Sequence, residues 1–223
     1  MTARSFDCAV IIPAFNAERF LGEAIESVLR QDPAPSRVVV VDDGSSDGTA
    51  EIALQFGASV ELIRRENGGI GAARNTGLQH TTCAFLAFLD ADDVWPAGRQ
   101  AAMADALTSQ PEADGVFGAV VEFGEGREDG PATPASMASS ILIRRASFDR
   151  VGGFREDVRV GEFIDWFARA QDCGLRFVHV PEVVLRRRLH ETNTGKLQRD
   201  ARPDYVRVLR AALQRRREDA ERE

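Results

Sequence analysis

Between residues 8 and 89 the chain alternates short, β-branched apolar runs with stretches whose apolar residues recur at helical spacing. That alternation is the pattern of β-α-β units around a mostly parallel sheet, and it constrains the fold more than any other feature. Residues 8–12 read as a buried strand stopped by Pro13, and residues 37–41 as a second. Residues 59–63 and 84–89 supply a third and a fourth. Helical periods fall between them. Phe20, Leu21, Ala24, Ile25, Val28 and Leu29 share one face, Ser46 or Asp47 caps a helix running to Phe56, and 70–79 forms a third helix. With 223 residues, 43% of them hydrophobic, the chain has enough core to close one α/β domain.

The second half is less regular. Residues 100–107 read as a helix and 115–123 as a strand, whereas 124–137 are rich in Gly, Pro, Glu and Asp with no apolar period. That segment is expected to be a mobile loop rather than a linker, because the chain beyond it is too short for an independent core. Strands are expected at 140–143, 177–180 and 183–187, and a helix at 162–171. A terminal helix over 204–217 carries a basic outer face with Arg207, Arg210, Arg215, Arg216 and Arg217. The plainest reading of that face is a solvated one; a homodimer contact or anionic lipid are the alternatives. The single domain divides at about residue 110 into two halves, with the terminal helix from about 201.

Lys and Arg number 28 against 35 Asp and Glu, a formal charge of −7. This balance argues against binding a nucleic-acid backbone, which needs a cationic face. No apolar run approaches the roughly 20 residues of a membrane span, and residues 1–7 lack the pattern of a signal peptide. Cys8, Cys83 and Cys173 are too scattered for a disulfide framework or zinc site and read as small buried hydrophobes. A soluble, cytoplasmic protein is the expectation.

Asp90-Ala91-Asp92-Asp93 closes the fourth strand. Three carboxylates within four residues repel one another, and a hard divalent cation such as Mg²⁺ or Mn²⁺ is one reason to gather them. A turn and helix cap is the other reading. Asp42-Asp43-Gly44-Ser45 follows the second strand, so its acids belong at the same sheet edge, where they can accept hydrogen bonds from a nucleobase or ribose or simply form a turn. Asn67-Gly68-Gly69-Ile70-Gly71-Ala72-Ala73-Arg74-Asn75 sets a Gly-rich turn before a helix, the kind that exposes N–H groups to a phosphate. It lacks the later glycine of the dinucleotide fingerprint and the Walker lysine. Its bland reading is a helix N-terminus with Arg74 on the solvent side.

These segments, with Val10-Ile11-Ile12-Pro13-Ala14-Phe15-Asn16 ahead of them, stand in the order seen in family-2 glycosyltransferases, which the chain resembles. Val151-Gly152-Gly153-Phe154-Arg155-Glu156-Asp157 is similar to that family's Gly-Gly-Phe-Asp-Glu stretch, and the resemblance covers residues 9–193. It implies a GT-A-like, Rossmann-type mostly parallel sheet flanked by helices, with a nucleotide-sugar-binding half and a small acceptor-side subdomain. It also implies metal-dependent, inverting transfer from a UDP-sugar to a hydroxyl of a soluble acceptor such as a small molecule, peptide or saccharide end. Carried over, Pro13, Phe15 and Asp43 fall on positions that hold the uracil or its ribose, and Asn16, Glu18, Gly69 and Arg74 lie in the same donor-binding segments. Asp92 matches a ribose- or metal-facing position, and Asp93 or Asp92 is the direct ligand of Mn²⁺ or Mg²⁺.

His190 lies in Arg186-Arg187-Arg188-Leu189-His190-Glu191-Thr192-Asn193, similar to the family's Arg-x-His-x-x-Asn element, where a His approaches the metal or diphosphate. The neighbouring arginines then suit the diphosphate. The family's base is the Asp of a Glu-Asp pair, but here Gly161-Glu162-Phe163-Ile164-Asp165-Trp166 has Phe163 at that place. Glu162 and Asp165 share a helix face, and Glu162, nearer the loop opening, is favoured as the base over Asp165. Trp95 and Trp166 read as core, and His80 and His179 as ordinary surface or sheet residues. A nucleotidyltransferase is disfavoured, because residues 10–18 lack Gly and Lys. A non-catalytic nucleotide-sugar-binding module is the remaining alternative, and the altered Glu162-Phe163 pair supports it.

Overall fold

The computed structural model describes residues 5–191 and 202–220. The chain runs β1 (Ser5–Ala14), α1 (Leu21–Leu29), β2 (Ala34–Asp42), α2 (Thr49–Leu54), β3 (Glu61–Arg64), α3 (Ile70–Gln79), β4 (Phe85–Phe88) and α4 (Arg99–Ser109). It continues through β5 (Gly115–Phe123), β6 (Thr133–Pro134), β7 (Leu142–Arg144), α5 (Arg145–Val151), α6 (Glu162–Asp172), β8 (Phe177–Arg188) and a terminal helix α7 (Arg202–Ala220).

The strands form one sheet in the order β3-β2-β1-β4-β7-β5, with β8 on the far side of β5 and the short β6 beside β5 beyond β7. β3, β2, β1 and β4 pair in parallel. β7 is antiparallel to both β4 and β5, so β5 and its parallel partner β8 resume the direction of the first four strands. The mostly parallel, helix-flanked sheet expected from the alternation is therefore present, and both halves of the chain contribute to it.

Strand β1 shows why the sheet is covered on both faces. Cys8, Val10, Ile12 and Ala14 enter one core with Leu21, Ile25 and Val28 of α1 and Met103 and Leu107 of α4. Ala9 and Ile11 enter the opposite core with Leu78 of α3, Phe148 of α5 and Trp166 of α6. Side chains alternate across a strand, so a run apolar at every position requires burial on both sides. The second core is largely aromatic. Trp166 stacks on Phe148 at 4.9 Å between ring centroids, and its Nε1–H donates to the Gly152 carbonyl at 3.0 Å. Trp95 and Trp166 are both buried, as expected of core residues.

Several boundaries differ from the expectations, each for a physical reason. Pro13 does not stop β1. The pairing of β1 with β4 ends at Ile11 and Phe88, so Pro13 lies where only β2 is alongside and the missing N–H is tolerated. The strands expected at 177–180 and 183–187 are one strand, β8, whose register against β5 shifts beyond Phe117–His179. Pro181 interrupts the apolar pattern there without ending the strand. The 124–137 segment is not wholly loop, since Thr133 and Pro134 pair with Val120 and Ala119. Helix α5, directly after β7, is too short to show a helical period. Gly48, not Ser46 or Asp47, is the N-cap of α2, and the Asp47 carboxylate accepts from the Thr49 backbone N–H at 3.0 Å. Cys8 and Cys83 are buried, but Cys173 is exposed at the end of α6.

Two helical glycines make the packing testable. A Cβ on Gly22 of α1 would meet only Ile52 Cγ2 at 3.7 Å, whereas one on Gly71 of α3 would overlap the Arg155 carbonyl oxygen. Replacing a helical glycine by alanine gains about 0.5–1 kcal/mol where there is room, and overpacking costs about 1–3 kcal/mol. Gly22→Ala is expected to raise the urea midpoint and Gly71→Ala to lower it.

Candidate active site

The carboxyl ends of β1, β2 and β4 come together at one edge of the sheet, which is where open α/β sheets take ligands. Beyond β1 the backbone turns at Asn16, whose φ is 48°. Asparagine tolerates this left-handed conformation better than most residues. The loops after β1 and β2 are laced together. Asn16 N–H donates to Ser45 Oγ at 2.9 Å, and Ser46 N–H donates to Asn16 Oδ1 at 2.9 Å. Gly48 N–H donates to Glu18 Oε2 at 2.8 Å, and Ala17 N–H donates to Thr49 Oγ1 at 2.8 Å. Asn16 and Glu18 thus join the two loops, while the Phe15 ring beside them is 53% exposed.

The acids of the second loop point inward. Asp42 is buried and accepts from the Ser45 N–H at 2.9 Å. Asp43, also buried, accepts from the N–H groups of Gly68 at 3.1 Å and Gly69 at 2.8 Å and pairs with Arg65. A buried carboxylate needs such donors, and here they are supplied by the Gly-rich turn, which opens into α3 at Gly69 with φ 87°.

Arg74 does not face solvent. It is 2% exposed and forks between two carboxylates, Asp90 Oδ1 at 2.7 Å from Nη2 and Glu162 from Nη1. Burial opposes its charge, and Asp90 and Glu162 more than offset that opposition, holding the pKa above its ordinary value. The guanidinium also lies 5.5 Å from the centre of the Phe154 ring. One side chain of α3 thereby ties the end of β4 to the start of α6.

Within the 90–93 cluster the three acids have different surroundings. Asp90 meets Arg74, and its N–H donates to Ser139 Oγ at 3.0 Å. Asp92 Oδ2 lies 2.8 Å from His190 Nε2. Asp93 is buried and accepts from the Arg188 N–H at 2.8 Å. Burial first, and then the charges of Asp90 and Asp92, push the Asp93 carboxyl well above the usual carboxylate range. Arg188 completes the clamp: its Nε–H donates to the Asp92 carbonyl at 2.9 Å, and its guanidinium lies over Phe20 and Phe123, 5.0 and 4.5 Å from the ring centres. The His190 ring packs against Phe20 at 4.7 Å. The end of β8 is thus fastened to the acidic loop. Arg186 and Arg187 pair with Asp129 and Glu122 at 2.8 and 2.9 Å. Thr192 and Asn193 of the same sequence element lie outside the described residues.

Of the two base candidates, Glu162 faces the acidic edge through the arginine it shares with Asp90. Asp165 is 1% exposed and held by Arg169 at 2.8 Å, Arg215 at 3.4 Å and Arg155 at 3.9 Å. Phe163 is buried with Phe117, Trp166 and Phe167, at ring-centre distances of 6.3, 5.8 and 6.1 Å. The sequence alone did not mark Phe20, Ser139 or the clamping role of Arg188. Only Arg188, standing beside His190 in a basic run, left a signal, and it suggested a diphosphate rather than Asp92 and Asp93.

The laced acidic loops and the Gly-rich start of α3 lie together at the carboxyl edge of the parallel strands, the place where open α/β sheets bind ligands. Residues 9–163 match Glycosyl transferase family 2, and the chain belongs to that family. Over 93 residues it is 41% identical to the Escherichia coli UDP-Glc:alpha-D-GlcNAc-diphosphoundecaprenol beta-1,3-glucosyltransferase WfgD, covering 41% of this chain and 37% of that enzyme. Its fold matches S. aureus TarS in complex with UDP-GlcNAc, with TM-score 0.76, 22% identity and coverage of 92% of this chain and 65% of that one. It also matches the mannosyltransferase PcManGT from Pyrobaculum calidifontis in complex with GDP-Man and Mn²⁺, with TM-score 0.67, 23% identity and coverage of 87% and 59%. The fold is GT-A, and the chain spans less than two thirds of the length of each of these proteins.

The Arg74 fork has a measurable consequence. Arg74→Leu leaves Glu162 buried and unpaired, and breaking a buried pair from one side costs about 3–5 kcal/mol. Urea denaturation is expected to show that loss, and Arg74→Leu with Glu162→Leu is expected to recover part of it.

Proposed function

We propose that the chain transfers a glycosyl group from a UDP-sugar to an acceptor hydroxyl with inversion, assisted by Mn²⁺ or Mg²⁺. The observation that carries this reading is the Asp92–His190 contact beside Asp90 at the carboxyl end of β4, in a chain of this family. The names of WfgD and the bound ligands of TarS favour a uridine donor, and the Mn²⁺ in PcManGT favours a metal.

The exposed Phe15 ring offers a face for the uracil, with Pro13 and the Asp43-anchored turn forming the adjoining wall. Backbone N–H groups at the Gly69 start of α3 suit the diphosphate. The donor set fits a divalent cation of borderline hardness: Asp92 supplies a carboxylate oxygen and His190 an imidazole nitrogen, a pairing better suited to Mn²⁺ than to Mg²⁺. No group of three or more such side chains is poised for a metal among the described residues. Substrate oxygens and water would therefore complete the shell, as is usual for cations that accompany phosphates. When bound, the cation offsets the charge of the departing nucleoside diphosphate. Asp93 acts one step behind, keeping Arg188 and the end of β8 against the acidic loop.

Glu162 takes the proton from the acceptor hydroxyl at its carboxylate, with Arg74 fixing its orientation. Asp165, enclosed by three arginines, holds α6 in place. The burial of Phe163 favours one rival, a binding module without turnover.

Two measurements test these assignments. UDP with Mn²⁺ at about 100 times its Kd stabilises the fold by about 2.7 kcal/mol, roughly 5–10 °C in Tm for a domain of this size. Either component alone is expected to give far less, and Asp92→Ala is expected to abolish the gain. Absence of a shift with any nucleoside diphosphate and metal rejects the donor reading. In the second, Glu162→Gln is expected to cut UDP-sugar turnover by about 10²–10⁴-fold while leaving UDP binding intact, and Asp165→Asn to lower Tm more than turnover. The reverse pattern transfers the base to Asp165. Hydrolysis absent from every UDP-sugar, with UDP still bound, leaves the binding module.

A further inference from the structure

We infer that α7 is an interfacial helix that docks this protein on an anionic lipid surface. The helix has two apolar faces. One is seated on the domain: Val208 is fully buried, and a Cβ at Gly161, the residue before α6, would lie 3.3 Å from Tyr205 Cδ1. Ion pairs fasten that side, Arg207 with Asp157, Asp204 with Arg159, Arg215 with Asp165 and Asp172, and Arg216 with Asp172. The other face is open. Val206, Leu209 and Leu213 are 47%, 55% and 57% exposed and recur at i, i+3 and i+7, the spacing of one helical stripe.

Arg210 and Arg217 flank this stripe, each four residues after one of its apolar members, Val206 and Leu213. Neither has a carboxylate partner among the described residues, in contrast to Arg207, Arg215 and Arg216. Residues 202–220 hold six arginines against three acids in a chain whose formal charge is −7. Cationic charge is therefore concentrated on the element that also exposes the apolar stripe. Low overall hydropathy, an apolar stripe and flanking arginines are the properties of a helix lying in the plane of a membrane interface. The arginines meet lipid phosphates, and the leucines enter the acyl boundary.

Charge selects this occupant over a second copy of the chain. A two-fold contact through the stripe brings arginines of one copy toward arginines of the other, and like charges at such spacing repel. Three aliphatic side chains also bury far less than the roughly 800 Å² per partner of a stable protein interface. No helix of the described residues is long and apolar enough to cross a membrane, so the contact is one of lying on the surface.

The test is flotation of the full chain with vesicles of phosphatidylcholine alone or mixed in equal parts with phosphatidylglycerol, at low and physiological salt. The expected result is recovery with the mixed vesicles, weakened by salt, and none with phosphatidylcholine. Arg210→Ala with Arg217→Ala is expected to lower partitioning about 30-fold. Leu209→Ser with Leu213→Ser is expected to lower it at least about tenfold. Both pairs of substitutions lie on the solvent side, so Tm and the shift with UDP and Mn²⁺ are expected to stay unchanged, which separates this inference from the reading of the donor site. Absence of flotation with anionic vesicles at low salt, or flotation unaffected by both double variants, overturns it. So does a dimer in sedimentation analysis that Leu209→Ser with Leu213→Ser dissolves, since the stripe then belongs to a second copy.

Discussion

The buried fork of Arg74 is the interaction on which the candidate site depends. It reaches from α3 to Asp90 at the end of β4 and to Glu162 at the start of α6, elements separated by more than seventy residues of chain. A guanidinium stripped of water is unfavourable by itself, and its planar array of donors matches two carboxylates better than an ammonium would. The same arrangement leaves each carboxylate with a partner. The acidic edge of the sheet and the start of α6 are consequently fixed by a single charge balance, and the aromatic core under α6 lies on its buried, Glu162 side through Phe154, Phe163 and Trp166.

The same economy of charge explains the acidic loops. Five aspartates gathered at one edge repel one another, and the fold divides them by surroundings. Asp42, Asp43 and Asp93 turn inward and accept backbone N–H groups of Ser45, of Gly68 and Gly69, and of Arg188. Each of these bonds fixes a loop or strand end. Asp90 and Asp92 stay partly exposed, one facing Arg74 and the other His190. A motif that reads in sequence as one ligand cluster is, in space, a set of loop anchors around a smaller, partly exposed pair.

Legibility in the sequence followed the range of the interactions. The strands β1 to β5 and the helices α1, α3, α4 and α6 were readable because burial on both sheet faces imposes apolar runs, and burial on one helix face imposes a period. Helix α5 and the bulged β8 were not, since seven residues carry no reliable period and Pro181 disguises a continuing strand. The motif residues Asp43, Arg74, Asp92, Glu162 and His190 were readable by type and order. Their pairings were not, because Arg74 with Glu162 and Asp92 with His190 join segments about ninety residues apart, and nothing local records which carboxylate an arginine or histidine will meet. The burial of Arg74 was invisible for the same reason: a helical arginine after a Gly-rich turn looks solvated until its two partners are placed.

The substitution at Phe163 connects these observations. An acid directly after Glu162 would have to sit among Phe117, Trp166 and Phe167, where desolvation disfavours an ionised carboxylate. An aromatic ring there instead deepens the apolar floor under α6 and leaves Glu162 as the carboxylate of the first turn that faces the sheet edge. Asp165, three residues on, is drawn to the opposite charge system of Arg155, Arg169 and Arg215, the last of which belongs to α7. The two acids in the first turn of α6 are therefore divided between two tasks. One belongs to the acidic sheet edge through Arg74, and the other secures the helix that carries the exposed apolar stripe. The surface presented by α7 and the orientation of Glu162 are thus set by neighbouring residues of the same helical turn.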